Sequence, residues 1–382
     1  MPKIAIIGGG IGGLCTGIAL QQRGFDVAIY ESANTFQPLG AGLGVGANAL
    51  KALEKLNVKN IVMKHSKVLN KMVVFSNKGT PLTETDSLLA SERYGTDNVT
   101  IHRADLHHIL RSALNPESIV LNKRCVDFKQ DQNGVTVFFE DGDTIVADAV
   151  VAADGINSLF RRKLVPNSTP RYSGYTCWRG VVSDPNIAID QLIATETWGL
   201  SGRFGIVPLE EGKIYWFACK RAKARDPKIA GYGIKELLAI FKDYHSPIPQ
   251  IIGATSEDSL IHNDILDIKP IGQYAFQRIV LLGDAAHAAT PNLGQGAGQA
   301  MEDAYVLARC LETNGNIENA FTLYERKRLD RTHKIIKMSN QVGQVAQLES
   351  KWLIPLRNAV LKLIPPSVNM KRYEFLYDVN WD

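Results

Sequence analysis

The chain opens on an apolar run of strand character, Lys3 to Ile7, and changes period after a cluster of glycines. From Leu14 to Gln22 the apolar residues recur at helical spacing until Arg23 and Gly24 stop them, and a second run, Asp26 to Tyr30, again reads as a strand. Helical spacing returns over 49–56, 103–110, 299–311 and 317–347. Two further strand-like runs, 135–139 and 149–153, are separated by Glu140-Asp141-Gly142-Asp143, a hairpin signal. From about 172 to 268 the pattern becomes one of alternating strands rich in aromatic and β-branched residues, and a last apolar run, 278–282, precedes another glycine-rich turn. Neither an internal repeat nor a low-complexity segment interrupts this order. Strand, glycine turn, helix and strand at the start, with a sheet of different character inserted later, predict an α/β protein.

Composition narrows the class. In 382 residues, 45% hydrophobic and 21% charged content is that of a folded globular protein, long enough for two domains or one interleaved body. A formal charge of +4 with dispersed basic residues argues against a nucleic-acid partner and leaves only a mild pull on anionic substrates. The five cysteines, Cys15, Cys125, Cys177, Cys219 and Cys310, show neither C-x-x-C nor metal-ligand spacing and read as core thiols in a reducing compartment, with no metal expected. The first strand begins too early for a signal peptide and no apolar run has the length to span a bilayer, so a cytoplasmic enzyme is expected. The tail, 352–364, is apolar with a few positive charges. It reads as a docking helix, peripheral contact with a membrane being the alternative.

Three segments carry candidate chemistry. Gly8, Gly10 and Gly13 fit G-x-G-x-x-G between the first strand and the first helix, where helix-terminal amides can hold a pyrophosphate. Glu31 ends the second strand about twenty residues on, where an acid accepts hydrogen bonds from a ribose diol and argues for adenosine without a 2′-phosphate. These residues alone leave NAD and FAD both open. The run from Leu39 to Asn48 holds four glycines, small enough for backbone to lie against a flat ligand. At 150–161 a second strand-turn-helix delivers Asp154 and Gly155; Asp154 can reach a ribose or merely cap the helix. Gly283 and Asp284 follow the 278–282 strand, where open α/β sheets bind ligands, and 291–298 lead into a helix whose terminal amides can stabilise an anionic ring. His287 in this segment reads as a residue that orients backbone, general base being the alternative.

With the Gly8–Gly13 turn, Asp154-Gly155 and Gly283-Asp284 in one chain, the sequence resembles the single-component FAD-dependent aromatic monooxygenases of the p-hydroxybenzoate and salicylate hydroxylase superfamily. Its closest look is to compact members such as the urate, 3-hydroxybenzoate and tetracycline-inactivating hydroxylases. The resemblance spans essentially the whole chain. It implies a Rossmann-like FAD-binding domain (1–70, 101–168 and 271–330) interleaved with a mixed β-sheet substrate domain (71–100 and 169–270), then C-terminal helices (331–382). It further implies non-covalent FAD, with Gly8, Gly10, Gly13 and Glu31 on its ADP half. Arg103 would lie at the flavin side, Asp284 with Gly283 on the ribityl chain, and Pro291, Gly294 and Gly296 near the ring. Asp154 and Gly155 would serve both FAD and the passing nicotinamide nucleotide. Ser32 departs from the basic residue that many members carry after the acid.

The chemistry so implied is reduction of the flavin by NAD(P)H, addition of O₂ at its C4a carbon, and transfer of the distal oxygen of that hydroperoxide to an aromatic or polycyclic substrate. The choice between NADH and NADPH stays open. Pocket candidates are Arg203, Phe204, Tyr215, Trp216, Trp178 and Arg179, with catalytic roles expected for Arg203, Tyr215 and Pro291. Arg203 and Tyr215, in successive strands, are expected to approach each other on one face, the arginine lowering the pKa of an ionisable substrate. A surface salt bridge for Arg203 and core packing for Tyr215 are the alternative, and Trp178 and Trp216 read as core aromatics. Other flavoenzymes of the fold (halogenase, epoxidase or dehydrogenase) and a non-catalytic dinucleotide-binding protein are the competing functions. The halogenase pattern G-W-x-W-x-I-P is not matched at 174–180.

Overall fold

A computed structural model describes residues 2–36, 41–365, 374–379 and 381. Leu39 and Gly40 of the glycine-rich stretch lie outside them. Strand Lys3–Ile7 sits at the centre of a six-stranded sheet, with Asp26–Tyr30 and Ile119–Val120 on one side and Ala149–Ala152, Ile279–Leu281 and Ala275–Phe276 on the other. Ile4, Ile6, Ala149, Val150, Val151, Val280 and Leu281 are buried, because both faces are covered and the strands therefore read as continuous apolar runs. Helix Ile11–Gln21 is apolar nearly all round and packs between this sheet and helix Gly296–Thr313.

The chain order reverses about strand Lys3–Ile7, which pairs in parallel with Asp26–Tyr30 and with Ala149–Ala152; the latter pairs in parallel with Ile279–Leu281. All four strands thus end at the same edge, and that edge is the switch point at which open sheets bind ligands. The fold brings Gly8, Glu31, Asp154 and Asp284 together for this reason alone, although they span most of the sequence.

A second sheet of seven strands runs in the order Ile261–Asp267, Arg171–Val182, Ile214–Arg221, Gly202–Pro208, Ile193–Gly199, Lys71–Ser76 and Pro81–Asp86. Its rear face buries Trp178, Phe204, Trp216 and Ala218 against Leu237, Phe241, Ile248, Ile251 and Ile252 of two short helices. Strand alternation sends the other set of side chains to the opposite face. The fold is the α/β arrangement that the resemblance implied, with its mixed second sheet and C-terminal helices; helix Ile317–Ala346 runs across residue 331 without a break.

The hairpin around 140–143 differs from expectation. Its second arm is Thr144–Ala147, paired antiparallel with Val135–Phe139, and Ala149–Ala152 belongs to the parallel sheet. Asp148 makes the switch: its N–H donates to the Lys3 carbonyl at 2.9 Å and its carboxylate accepts from the Lys3 N–H at 2.6 Å.

Candidate functional site

The first turn is built by close approach of backbone to backbone. Gly8 has φ +111°, and a Cβ there would lie 2.4 Å from the Ala153 carbonyl oxygen; one on Gly13 would lie 1.9 Å from that of Gly8. Helix Ile11–Gln21 starts at Gly10 with no side-chain cap, leaving its first amides free for a ligand. The Gly9 N–H donates to Glu31 Oε2 at 2.7 Å, while Glu31 Oε1 accepts from the Ala33 N–H at 2.8 Å and from the Ser32 hydroxyl at 3.0 Å. Ser32 thus supports the acid. His107, which the sequence reading left without a role, fixes the loop through a 2.8 Å hydrogen bond between Nε2 and the Gly9 carbonyl.

Asp154 caps the helix and keeps one oxygen uncommitted. Its Oδ2 accepts the Leu159 N–H at 2.8 Å, while Oδ1 is buried with no partner; burial pushes this carboxyl up, opposed by hydrogen bonds from Ser158 and Leu159. Asp284 is exposed to solvent at the end of strand Ile279–Leu281. Burial pushes its carboxyl up, with His287, Arg103 and Arg161 pulling it back. Arg103, at the start of helix Arg103–Ser112, therefore lies within electrostatic range of Asp284. Arg161 was passed over in sequence, being a helical residue with no local signal. It is fully buried and ties the second and third loops together, donating to the carbonyls of Ile156, Ser168, Asp284 and Ala285.

These residues fit FAD. The orphaned oxygen of Asp154, the open carboxylate of Asp284, the uncapped helix start and glycines that admit no Cβ form a donor and acceptor set suited to a pyrophosphate flanked by polyol chains.

The third loop continues through Pro291–Leu293 into helix Gly296–Thr313, which also starts without a side-chain cap. His287 stands behind this loop, buried and 2.6 Å from Asp303. Asp303 also accepts the Gly283 N–H at 3.0 Å and Arg328 Nε at 2.6 Å, and Arg328 Nη1 reaches Glu302 at 2.6 Å. Arg331, Gln299 and Asn48 complete the network around Glu302. Burial alone would raise both acids, but the opposing charges hold Glu302 and Asp303 below the usual carboxylate range.

Opposite the turn is the front face of the seven-stranded sheet. Its register divides the pocket candidates: Arg203, Tyr215 and Arg179 lie on this face, whereas Phe204, Trp216 and Trp178 lie in the rear core. Arg203 and Tyr215 share the face but do not meet, because Arg203 pairs with Cys219 and Tyr215 with Val207, leaving Gly205 and Phe217 between them. Arg203 is 2% exposed, with Nη1 3.0 Å from Glu196, at an angle too poor for a hydrogen bond, and Nη2 on Asn292 Oδ1; Nε has no partner. Tyr175 donates to the same Asn292 oxygen at 3.1 Å, which joins the sheet to the Pro291 loop. Burial pushes the Tyr175 and Tyr215 phenols up, and Arg203 and Arg179 respectively oppose it. Cys177 and Cys219 are cross-strand partners on this face; the Cys177 thiol and Arg203 pull Cys219 down against its burial. Asn292, Tyr175 and Glu196 were not legible in sequence, because each is defined by a partner in another strand or loop.

Comparison with known proteins agrees with this geometry. Residues 1–339 match the family described as FAD binding domain. The aurachin C monooxygenase/isomerase of Stigmatella aurantiaca is 36% identical over 94% of each chain, and the 2-heptyl-3-hydroxy-4(1H)-quinolone synthase of Pseudomonas aeruginosa is 32% identical over 98% of this chain and 97% of the other. Among solved structures, Klebsiella pneumoniae HpxO complexed with FAD and uric acid superposes with a TM-score of 0.91 at 27% identity, covering 98% of this chain and 97% of that one.

Proposed function

Since the chain belongs to the FAD binding domain family and is a flavin-dependent monooxygenase, we propose that it uses NAD(P)H and O₂ to hydroxylate an electron-rich nitrogen heteroaromatic ring held against Arg203. The observation that carries the substrate class is the unpartnered Nε donor of Arg203, buried in a front face that also presents Arg179 and Tyr215. A hydrocarbon ring would leave the Arg203 Nε donor unsatisfied, whereas a ring bearing an ionisable oxygen or nitrogen completes it. Quinolone and urate, in the names of relatives, belong to that class.

Bound FAD supplies the electron transfer from the nicotinamide and the activation of O₂. The residues supply the rest. Gly8 to Gly13 and Glu31 hold the ADP half, and Asp154 and Asp284 accept hydrogen bonds from hydroxyl groups. The free amides of helix Gly296–Thr313 favour negative charge on a ring beside Pro291, Gly294 and Gly296. Arg203 orients the substrate and stabilises its anionic form, which raises the electron density of the ring carbon to be attacked. The rear core of the sheet keeps this wall rigid, so that the acceptor carbon is positioned and water is kept out.

The test is oxidation of NADH and NADPH by the purified yellow protein, with O₂ uptake and product measured across 4-quinolones, purines, hydroxypyridines and phenolic acids. A heteroaromatic compound is expected to stimulate oxidation and leave with one added oxygen. Stimulation by phenolic acids alone would overturn the substrate class.

A further inference from the structure

Helix Leu353–Leu363 is held from one side only. Buried Arg357 donates to the carbonyls of Val345, Ala346 and Trp198, each at 3.4 Å, and its guanidinium lies 5.4 Å from the centre of the Trp198 ring. Leu361 packs on the same side against Val74, Leu82, Trp198 and Ala346. This clamp fixes the rotation of the helix about its axis.

The side turned away is apolar and open. Trp352 is 89% exposed, Leu353 49%, Leu356 62%, Val360 52% and Leu363 80%. At about 100° per residue these five fall within an arc of about 100°, forming one continuous stripe. Lys351 and Lys362, both exposed, fall along one border of it by the same count, and residues 350–365 contain no aspartate or glutamate. A stripe of this kind marks a surface that another apolar body covers. Two-fold pairing with a second copy would bring the lysines of two helices together with no acid on either to answer them. An anionic headgroup layer answers both features, taking the apolar side chains below and the lysines at its surface, with tryptophan at the boundary.

We infer that the Trp352, Leu353, Leu356, Val360 and Leu363 stripe is a docking surface for an anionic lipid bilayer, on which the helix lies in the plane of the headgroups. Among the described residues no helix is long and apolar enough to cross a membrane, so the contact is with a surface. Trp198, which the clamp grips, is also the cross-strand neighbour of Arg203, so the docked helix and the substrate wall share a residue. The docking surface does not depend on which ring the enzyme hydroxylates.

The experiment is co-sedimentation of the flavin-loaded full chain with vesicles of phosphatidylcholine, with and without phosphatidylglycerol. Binding is expected to need phosphatidylglycerol and to weaken with salt. Leu356→Glu with Leu363→Glu is expected to lower partitioning at least about tenfold, with bound flavin and basal NAD(P)H oxidation unchanged. Lys351→Glu with Lys362→Glu is expected to remove the preference for anionic vesicles. Absence of wild-type binding, or equal binding by the leucine double variant, overturns the proposal. So does a concentration-dependent dimer in analytical ultracentrifugation that the leucine variant converts to monomer, which would make a second copy the cover.

Discussion

Asp284 and Asp303 flank the same turn, and the protein around them treats them in opposite ways. Asp303 receives the Gly283 amide, His287 and Arg328, and is held well below the ordinary range in spite of its burial. Among the described residues the Asp284 carboxylate receives no hydrogen bond, and burial pushes it up. A buried carboxylate whose partners are all present is scaffold; it fixes the loop it touches. An acid that opens to solvent at a strand end and receives no hydrogen bond from the protein is free to accept from a ligand. Asp154, with one oxygen capping a helix and the other orphaned, has one foot in each class.

The sharpest way to break this comparison is to empty the scaffold side. Arg328→Met leaves Glu302 and Asp303 buried without their main cation, at a cost of about 3–5 kcal/mol. The variant is expected to melt roughly 5–15 °C below wild type or to accumulate as insoluble protein. A melting temperature within a degree or two of wild type would mean that the network is not what holds the turn.

On the ligand side, Arg203→Lys keeps a cation beside Glu196 and loses the guanidinium fork. Flavin content is expected to stay at the wild-type level, while product formed per NAD(P)H falls on the order of tenfold and hydrogen peroxide rises in step. Paired measurement of product and peroxide decides it, and wild-type coupling would assign Arg203 to the salt bridge with Glu196 alone.

The smallest effect concerns Asp284 in the absence of flavin. Its folded pKa lies above the unfolded one, so the native state holds the proton more tightly. The associated stability is present below the unfolded value, about 4, and is lost as pH rises through the folded value. Asp284→Asn removes that loss, so the flavin-free variant is expected to melt slightly above flavin-free wild type at neutral pH, by an amount that solvent screening keeps small, and to show no advantage in acid. Thermal melts at two pH values test the sign; a variant less stable at neutral pH would show that the open carboxylate stabilises the fold.

Much of this was readable from the chain because glycine turns after apolar strands are local signals, and parallel pairing then carries them to one edge. Gly8 to Gly13, Glu31, Asp154 and Asp284 could be singled out before any contact was known. Arg161, Asn292 and Glu196 could not, since their meaning lies in partners from distant segments, such as Asp284 for Arg161 and Arg203 for the other two. Phe204 went to the wrong wall for a simpler reason. It follows Arg203 in the same strand, and a single step in a strand changes the face; Trp178 and Trp216, read as core aromatics, do lie in the rear core. The arm of the hairpin was misjudged because one residue, Asp148, carries the chain from one sheet into another.

The most direct test of the central claim is titration of flavin-free protein with FAD, followed by quenching of flavin fluorescence, in wild type and Asp284→Ala. If the open carboxylate is completed by the cofactor, the variant loses charge-assisted hydrogen bonds worth about 1.5–3 kcal/mol. Its FAD dissociation constant should then rise roughly 10- to 100-fold while the protein stays folded. An unchanged dissociation constant in a folded variant would contradict the account, leaving Asp284 an unpaired acid with no part in holding the cofactor.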